Sequence, residues 1–225
     1  MIPKKFENYT KKYEKYRITV GDTNSSRLLR LFDIRFRLAM DIKISFNTTV
    51  SYTKSKDVRD TYSLLFQLTE FWNAFDALLQ WLKNEKFLEK TKWFEIFNCE
   101  IYDTVTKKTL DVGLKELKKF YKDEKFAIDF DEYLNRIQNS ELSPELKANA
   151  GKVSRWLKQD EKVSEDALLR LIVSDRNLAY HHAEGSKMGS SYSNRKKVLS
   201  FYIKVLGEFI NAAAFSSIKI YLMKK

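Results

Sequence analysis

Apolar residues recur every three or four positions over most of the chain, and that period predicts helices. From Arg27 to about Asn47 one stripe runs through Leu28, Leu31, Phe32, Leu38, Ala39, Ile42 and Phe46, interrupted at Arg35. Ahead of it, Gly21–Ser26 predicts a turn that ends in a helix N-cap at Asn24 or Ser25. Val50–Lys56 is polar and predicts a loop. Asp60–Lys86 has the clearest pattern: Leu64, Leu68, Phe71, Phe75, Leu78 and Leu82, widened by Leu65, Trp72 and Leu79, as in a helix packed into a bundle. Between Thr91 and Lys108 the bulky residues fit neither a helical nor a strand period. Helices are expected at about 109–124 and 129–139. Ser143-Pro144 predicts an N-cap with proline at the first helical position, opening a helix to about Gln159. Ser164 is expected to cap a helix that runs to about Ala183, with Gly185 as its stop. Gly185–Asn194 predicts a mobile loop, and a last helix spans about 195–223. Residues 1–22 are rich in Lys and Tyr with little apolar periodicity; they predict a basic arm, or a short strand near Tyr16–Val20.

Composition agrees with an all-α domain. The chain has 225 residues with only 6 Gly and 2 Pro, too few for the many tight turns of a sandwich or barrel. No glycine-rich phosphate-binding string is present, and no cofactor is expected. One Cys and two His exclude a disulfide framework within the chain and leave no set for a Cys-based or all-His metal site. No run approaches ~18 consecutive apolar residues, so no membrane association is predicted. The single Cys and an N-terminus without an apolar leader region point to a cytoplasmic protein. The net charge of +11 concerns partners rather than fold, with RNA the favoured candidate. Hence the expectation is one domain over 1–225, with an inserted segment of short helices over 91–160.

One short segment concentrates chemistry: Ser174-Asp175-Arg176-Asn177-Leu178-Ala179-Tyr180-His181-His182. Both histidines of the chain are here. Histidine exchanges a proton near neutral pH, and arginine grips a phosphate through paired hydrogen bonds. Together with Asn177 they offer the minimum for metal-independent RNA cleavage by 2′-OH attack. On an ideal helix, however, positions five apart diverge by about 140°. A distorted helix, or a second copy of the segment in a two-fold dimer, closes that gap. The plainer alternatives are histidines that cap helix carbonyls and an Arg176 that pairs with Asp175. Lys187, Arg195, Lys196 and Lys197 follow closely and form a candidate phosphate-tracking patch. Tyr180 and Tyr192 are candidates to stack on a base, and the N-terminal lysines to grip RNA backbone. Asn73 and Asp76 are polar positions on an apolar helix, either a structural pair or groups that orient Arg176 or His181.

Arg176-Asn177-x-x-x-His181 resembles the Arg-polar-x4–6-His signature of the HEPN superfamily (higher eukaryotes and prokaryotes nucleotide-binding). The motif lies on a late helix, before a variable loop and a final long helix, as in that family. Phe71-Trp72-Asn73-Ala74-Phe75-Asp76-Ala77-Leu78-Leu79 is similar to its aromatic second helix. The resemblance covers about 24–86 and 164–224. It implies an up-and-down bundle of four or five helices, a homodimer with a composite active site, and a metal-independent endoribonuclease in a toxin–antitoxin or antiviral defence setting. It further implies Arg176 and His181 as the catalytic pair, Asn177 assisting, with His182 as a second candidate, and an antitoxin or defence-system protein as a possible partner. The alternatives are a non-catalytic HEPN-like module that binds RNA, a nucleotide or a protein, and a helical scaffold whose charge is only compositional.

Overall fold

A computed structural model describes residues 7–45, 55–102, 104–181 and 191–224, and among these the regular structure is helical throughout. Helix α1 spans Glu7–Val20, α2 Asn24–Asp41 and α3 Lys56–Asn84. After a short 3-10 helix at Trp93–Asn98 come α4 (Thr104–Phe120), α5 (Glu124–Asn139), α6 (Pro144–Gln159), α7 (Ala167–His181) and α8 (Tyr192–Met223).

The expected arm or strand at the N-terminus is instead helix α1. Its buried face is made of tyrosines: Tyr9, Tyr13 and Tyr16, at i, i+4 and i+7, are 2%, 6% and 1% exposed. Treating Tyr as polar hid the stripe. Two of the hydroxyls are satisfied inside: Tyr9 donates to Asp33 Oδ1 at 2.9 Å, and Tyr16 shares a hydrogen with Ser25 at 2.6 Å. Lys11 and Lys15 lie on the exposed side. Gly21, at φ +67°, ends α1 by donating its N–H to the Arg17 carbonyl. The N-cap of α2 is Thr23, not Asn24 or Ser25. Thr23 Oγ1 accepts from Ser26 N–H (3.1 Å) and Ser26 Oγ accepts from Thr23 N–H (2.9 Å). Ser25 is drawn away to Tyr16, Trp81 and Glu85.

The chain falls into two compact units. The first comprises residues 1–41, 70–109 and 205–225, the second 42–69 and 110–204, so α3, α4 and α8 contribute residues to both. Residues 91–109 fall in the first unit, and 110–160 fall with the motif helix α7 in the second. In the first unit the core is aromatic, with Tyr9 against Phe32 and Phe36, Phe36 against Phe71, and Phe75 against Phe209. In the second, α5 packs on α6 and α6 on α7. Phe120, Phe126, Phe130 and Phe201 join that core.

Helix α6 begins at Pro144, as its sequence predicts, although the Ser143 side chain makes no capping hydrogen bond. The ambiguous stretch near Thr91 becomes the 3-10 helix, with Ile96 fully buried. Helix α8 has 32 residues and is apolar enough to cross a membrane by length and composition, although charged residues such as Lys204 and Glu208 keep it from being an unbroken apolar run. Some 67% of its most apolar window is buried inside the protein, as in a core helix.

Candidate functional site

The motif lies in the C-terminal half of α7. Leu168, Leu169, Leu171 and Ile172 are fully buried, Val173 is 8% exposed, and Ser174 and Asp175 are also buried. Arg176 and Asn177 are the first consecutive half-exposed pair, and Leu178 turns inward again. Arg176 Nη1 donates to Asn177 Oδ1 at 3.2 Å. Helix α7 continues through His181 without a break. The helical distortion that would bring Arg176 and His181 onto one face is therefore absent, and their positions diverge by about 140°. The side chains of Tyr180 and His181, and the whole of His182 and Lys187, lie outside the described residues.

Beneath the motif is a buried polar cluster that sequence reasoning missed. Asp175 and Arg195 are 1% and 2% exposed, and Arg195 Nη1 meets Asp175 Oδ1 at 2.6 Å. Tyr133 of α5 donates its hydroxyl to the same oxygen at 3.0 Å, and its ring faces the Arg195 guanidinium at 5.8 Å. Asp175 Oδ2 and the Tyr202 hydroxyl are buried and make no hydrogen bond of ordinary geometry. The nearby Asp175 carboxylate disfavours ionisation of Tyr202, whereas the Tyr133 hydroxyl and the Arg195 cation favour it. Burial first, and then the Asp175 carboxylate, push both phenols well above the usual tyrosine range. Burial works against the Arg195 cation, but Asp175, Tyr133 and Tyr202 together outweigh it and the guanidinium is held charged. Through its Oδ1, the carboxylate beside Arg176 is thus engaged by α8 and α5.

This arrangement removes Arg195 from the expected phosphate-tracking patch. A guanidinium buried to 2% and locked to a carboxylate has no access to a backbone phosphate. Its neighbours point elsewhere. Lys196 pairs with Asp57 (2.7 Å) and Asp60 (3.6 Å) of α3, and Lys197 lies over the rings of Phe120 and Phe126 at 4.5 and 4.9 Å. Three consecutive positions on a helix are about 100° apart, so three consecutive basic residues serve three different surroundings. Ser191 opens α8 by accepting from the Asn194 N–H at 3.1 Å, and Asn194 reaches Asp129 Oδ2 at 2.6 Å.

Asn73 donates to Glu70 at 3.1 Å, and Asp76 is exposed. Both lie in the first unit, whereas α7 belongs to the second. The signal that could have disclosed the buried cluster is Asp175 itself. It is the one carboxylate in α7 and follows Leu168, Leu169, Leu171, Ile172 and Val173, a position that demands a buried partner. No protein-family model matches the chain, and no curated protein or solved structure is significantly similar to it.

Proposed function

We propose that this protein is a metal-independent endoribonuclease of the HEPN kind, with Arg176, Asn177 and His181 at its centre. The observation that carries the reading is the Arg176–Asn177 pair on α7. Arg176 and Asn177 form a hydrogen-bonded, half-exposed pair, while the adjacent carboxylate faces inward on Arg195 and Tyr133. A half-exposed arginine steadied by an amide offers its charge to a phosphate.

In the proposed reaction a histidine takes the proton of a ribose 2′-OH. The alkoxide attacks the adjacent phosphorus, forming the 2′-O–P bond. Arg176 neutralises the added charge on the phosphorane oxygens, and Asn177 holds the guanidinium by its side-chain carbonyl. The P–O5′ bond breaks, a second protonated group gives its proton to the leaving oxygen, and the products are a 2′,3′-cyclic phosphate and a 5′-hydroxyl.

Because α7 is unbroken, the positions of Arg176 and His181 in one chain diverge by about 140° around the helix. The straight helix therefore favours a composite cleft, in which Arg176 of one copy works with the histidine of a second. Incubating the protein with transfer RNA in EDTA should yield discrete cyclic-phosphate fragments, and Arg176→Ala/His181→Ala should yield none. Equal cutting by that double variant would refute the site; intact RNA with the wild type would refute the enzyme. Equimolar Arg176→Ala and His181→Ala proteins, mixed after separate purification, should regain about a quarter of wild-type activity, because half the dimers form between unlike chains and each of those has one intact site of two. A single-chain site regains nothing.

A further inference from the structure

Helix α2 has two apolar faces. One, with Leu29, Phe32, Phe36 and Ala39, is wholly buried. The other consists of Leu31, Ile34 and Leu38, which are 41%, 52% and 45% exposed. At i, i+3 and i+7 these three lie within about 60° of one another on the helix, roughly opposite the buried face, and make a ridge about two turns long. Single exposed aliphatic residues are ordinary; three in helical register form an apolar strip with room for a partner.

The flanks of the ridge are cationic. Arg30 and Arg37 stand on one side and Arg35 on the other. Arg35 is held by Glu70 at 3.1 Å and Arg37 by Asp33 at 2.8 Å, which restrains their guanidinium groups before any partner arrives. Arg30 is exposed and has no ion pair among the described residues. Beside it a groove of about 620 Å³ between α1 and α2 is lined by three ion pairs, Arg17–Glu14, Arg27–Asp22 and Arg37–Asp33, with Arg30 as its unmatched charge among the described residues. Over residues 7–45 there are nine Lys and Arg against five Asp and Glu.

We propose that this ridge docks an acidic amphipathic helix of another protein, whose apolar residues cover Leu31, Ile34 and Leu38 and whose carboxylates meet Arg30 and Arg37. Charge complementarity selects this occupant. A second copy of α2, parallel or antiparallel, would set arginine flank against arginine flank, which is repulsive in a chain of net charge +11. A bilayer would gain three aliphatic side chains and no aromatic anchor, too little buried area to hold a protein at a membrane. The inference stands independently of the nuclease reading, since α2 contributes none of the proposed catalytic groups.

The test uses a labelled synthetic helical peptide with Leu at i, i+3 and i+7 and Glu on both flanks, read by fluorescence anisotropy against the full chain. Binding is expected with a Kd of about 1–100 µM. Ile34→Asp should weaken it by about tenfold or more, the loss of one buried aliphatic contact together with a like charge. Arg30→Gln should weaken it severalfold and flatten its salt dependence. All three ridge residues are exposed, so circular dichroism of the variants should match the wild type. The proposal is overturned by failure to bind the peptide, by equal binding of a peptide with Lys in place of Glu, or by an unchanged Kd in Ile34→Asp. It is equally overturned if the ridge variant instead abolishes self-association in sedimentation, or binding to phosphatidylserine vesicles.

Discussion

The Asp175–Arg195 pair makes a sharp energetic prediction. The two groups are 1% and 2% exposed and 2.6 Å apart, and Tyr133 adds a hydrogen bond to the same carboxylate oxygen. Arg195→Met leaves a buried carboxylate without its counter-charge, and Asp175→Asn leaves a buried guanidinium. Breaking one side of such a pair costs about 3–5 kcal/mol. At roughly 2–4 °C per kcal/mol for a chain of this size, each single variant should melt about 6–20 °C lower. The double variant Asp175→Asn/Arg195→Met behaves differently. Both charges are gone, and the Asn oxygen still accepts from Tyr133, so its loss should be only about 1–3 kcal/mol. The assay is urea denaturation of the four proteins by circular dichroism, arranged as a double-mutant cycle. A double variant as damaged as the two singles added together, or an Arg195→Met protein that melts with the wild type, would refute the reasoning. The same pair ties the helix that carries the motif to the first turn of α8, so the single variants should also lose any activity that depends on the placement of Arg176.

Two further expectations concern helix ends and pH. Lys86 sits at φ +62° in the turn that closes α3, where Phe87 N–H reaches the Leu82 carbonyl at 2.9 Å and Lys86 N–H reaches Lys83 at 3.0 Å. Glycine suits that left-handed position, so Lys86→Gly should stabilise by up to about 1 kcal/mol in urea melts, and a loss of stability would contradict the turn geometry. Burial, and then a hydrogen bond to Asp131, push the Tyr121 phenol from 10.0 up to about 12. With a folded value above the unfolded one, its contribution is complete below pH 10 and is lost as pH rises towards 12. Tyr121→Phe should therefore lose stability less steeply across that range, and an identical slope in both proteins would count against the buried phenol.

Legibility differed element by element. Helices α3 and α6 could be placed from spacing and from Ser143-Pro144, because their signals are local: one apolar stripe, one proline at a helix start. Helix α1 was hidden because its stripe is made of tyrosines, whose burial depends on partners 9 and 24 residues away, Ser25 and Asp33. The motif was legible as a string of residue types. The fate of its neighbours was not. Arg195, Lys196 and Lys197 look equivalent in sequence, yet they meet Asp175, then Asp57 and Asp60, then Phe120 and Phe126, and no local rule distinguishes them.

Sequence alone determined the helical class, most helix positions and the choice of Arg176, Asn177 and His181 as the residues with chemistry to offer. These follow from periodicity and side-chain type, which are properties of neighbouring positions. Tertiary structure decided which charges are buried, which face of α7 is open, how the chain divides into two units, and that α2 keeps an apolar ridge uncovered. Those depend on desolvation and on contacts between distant segments. A buried guanidinium and an exposed one are the same letter until the fold has chosen its partners.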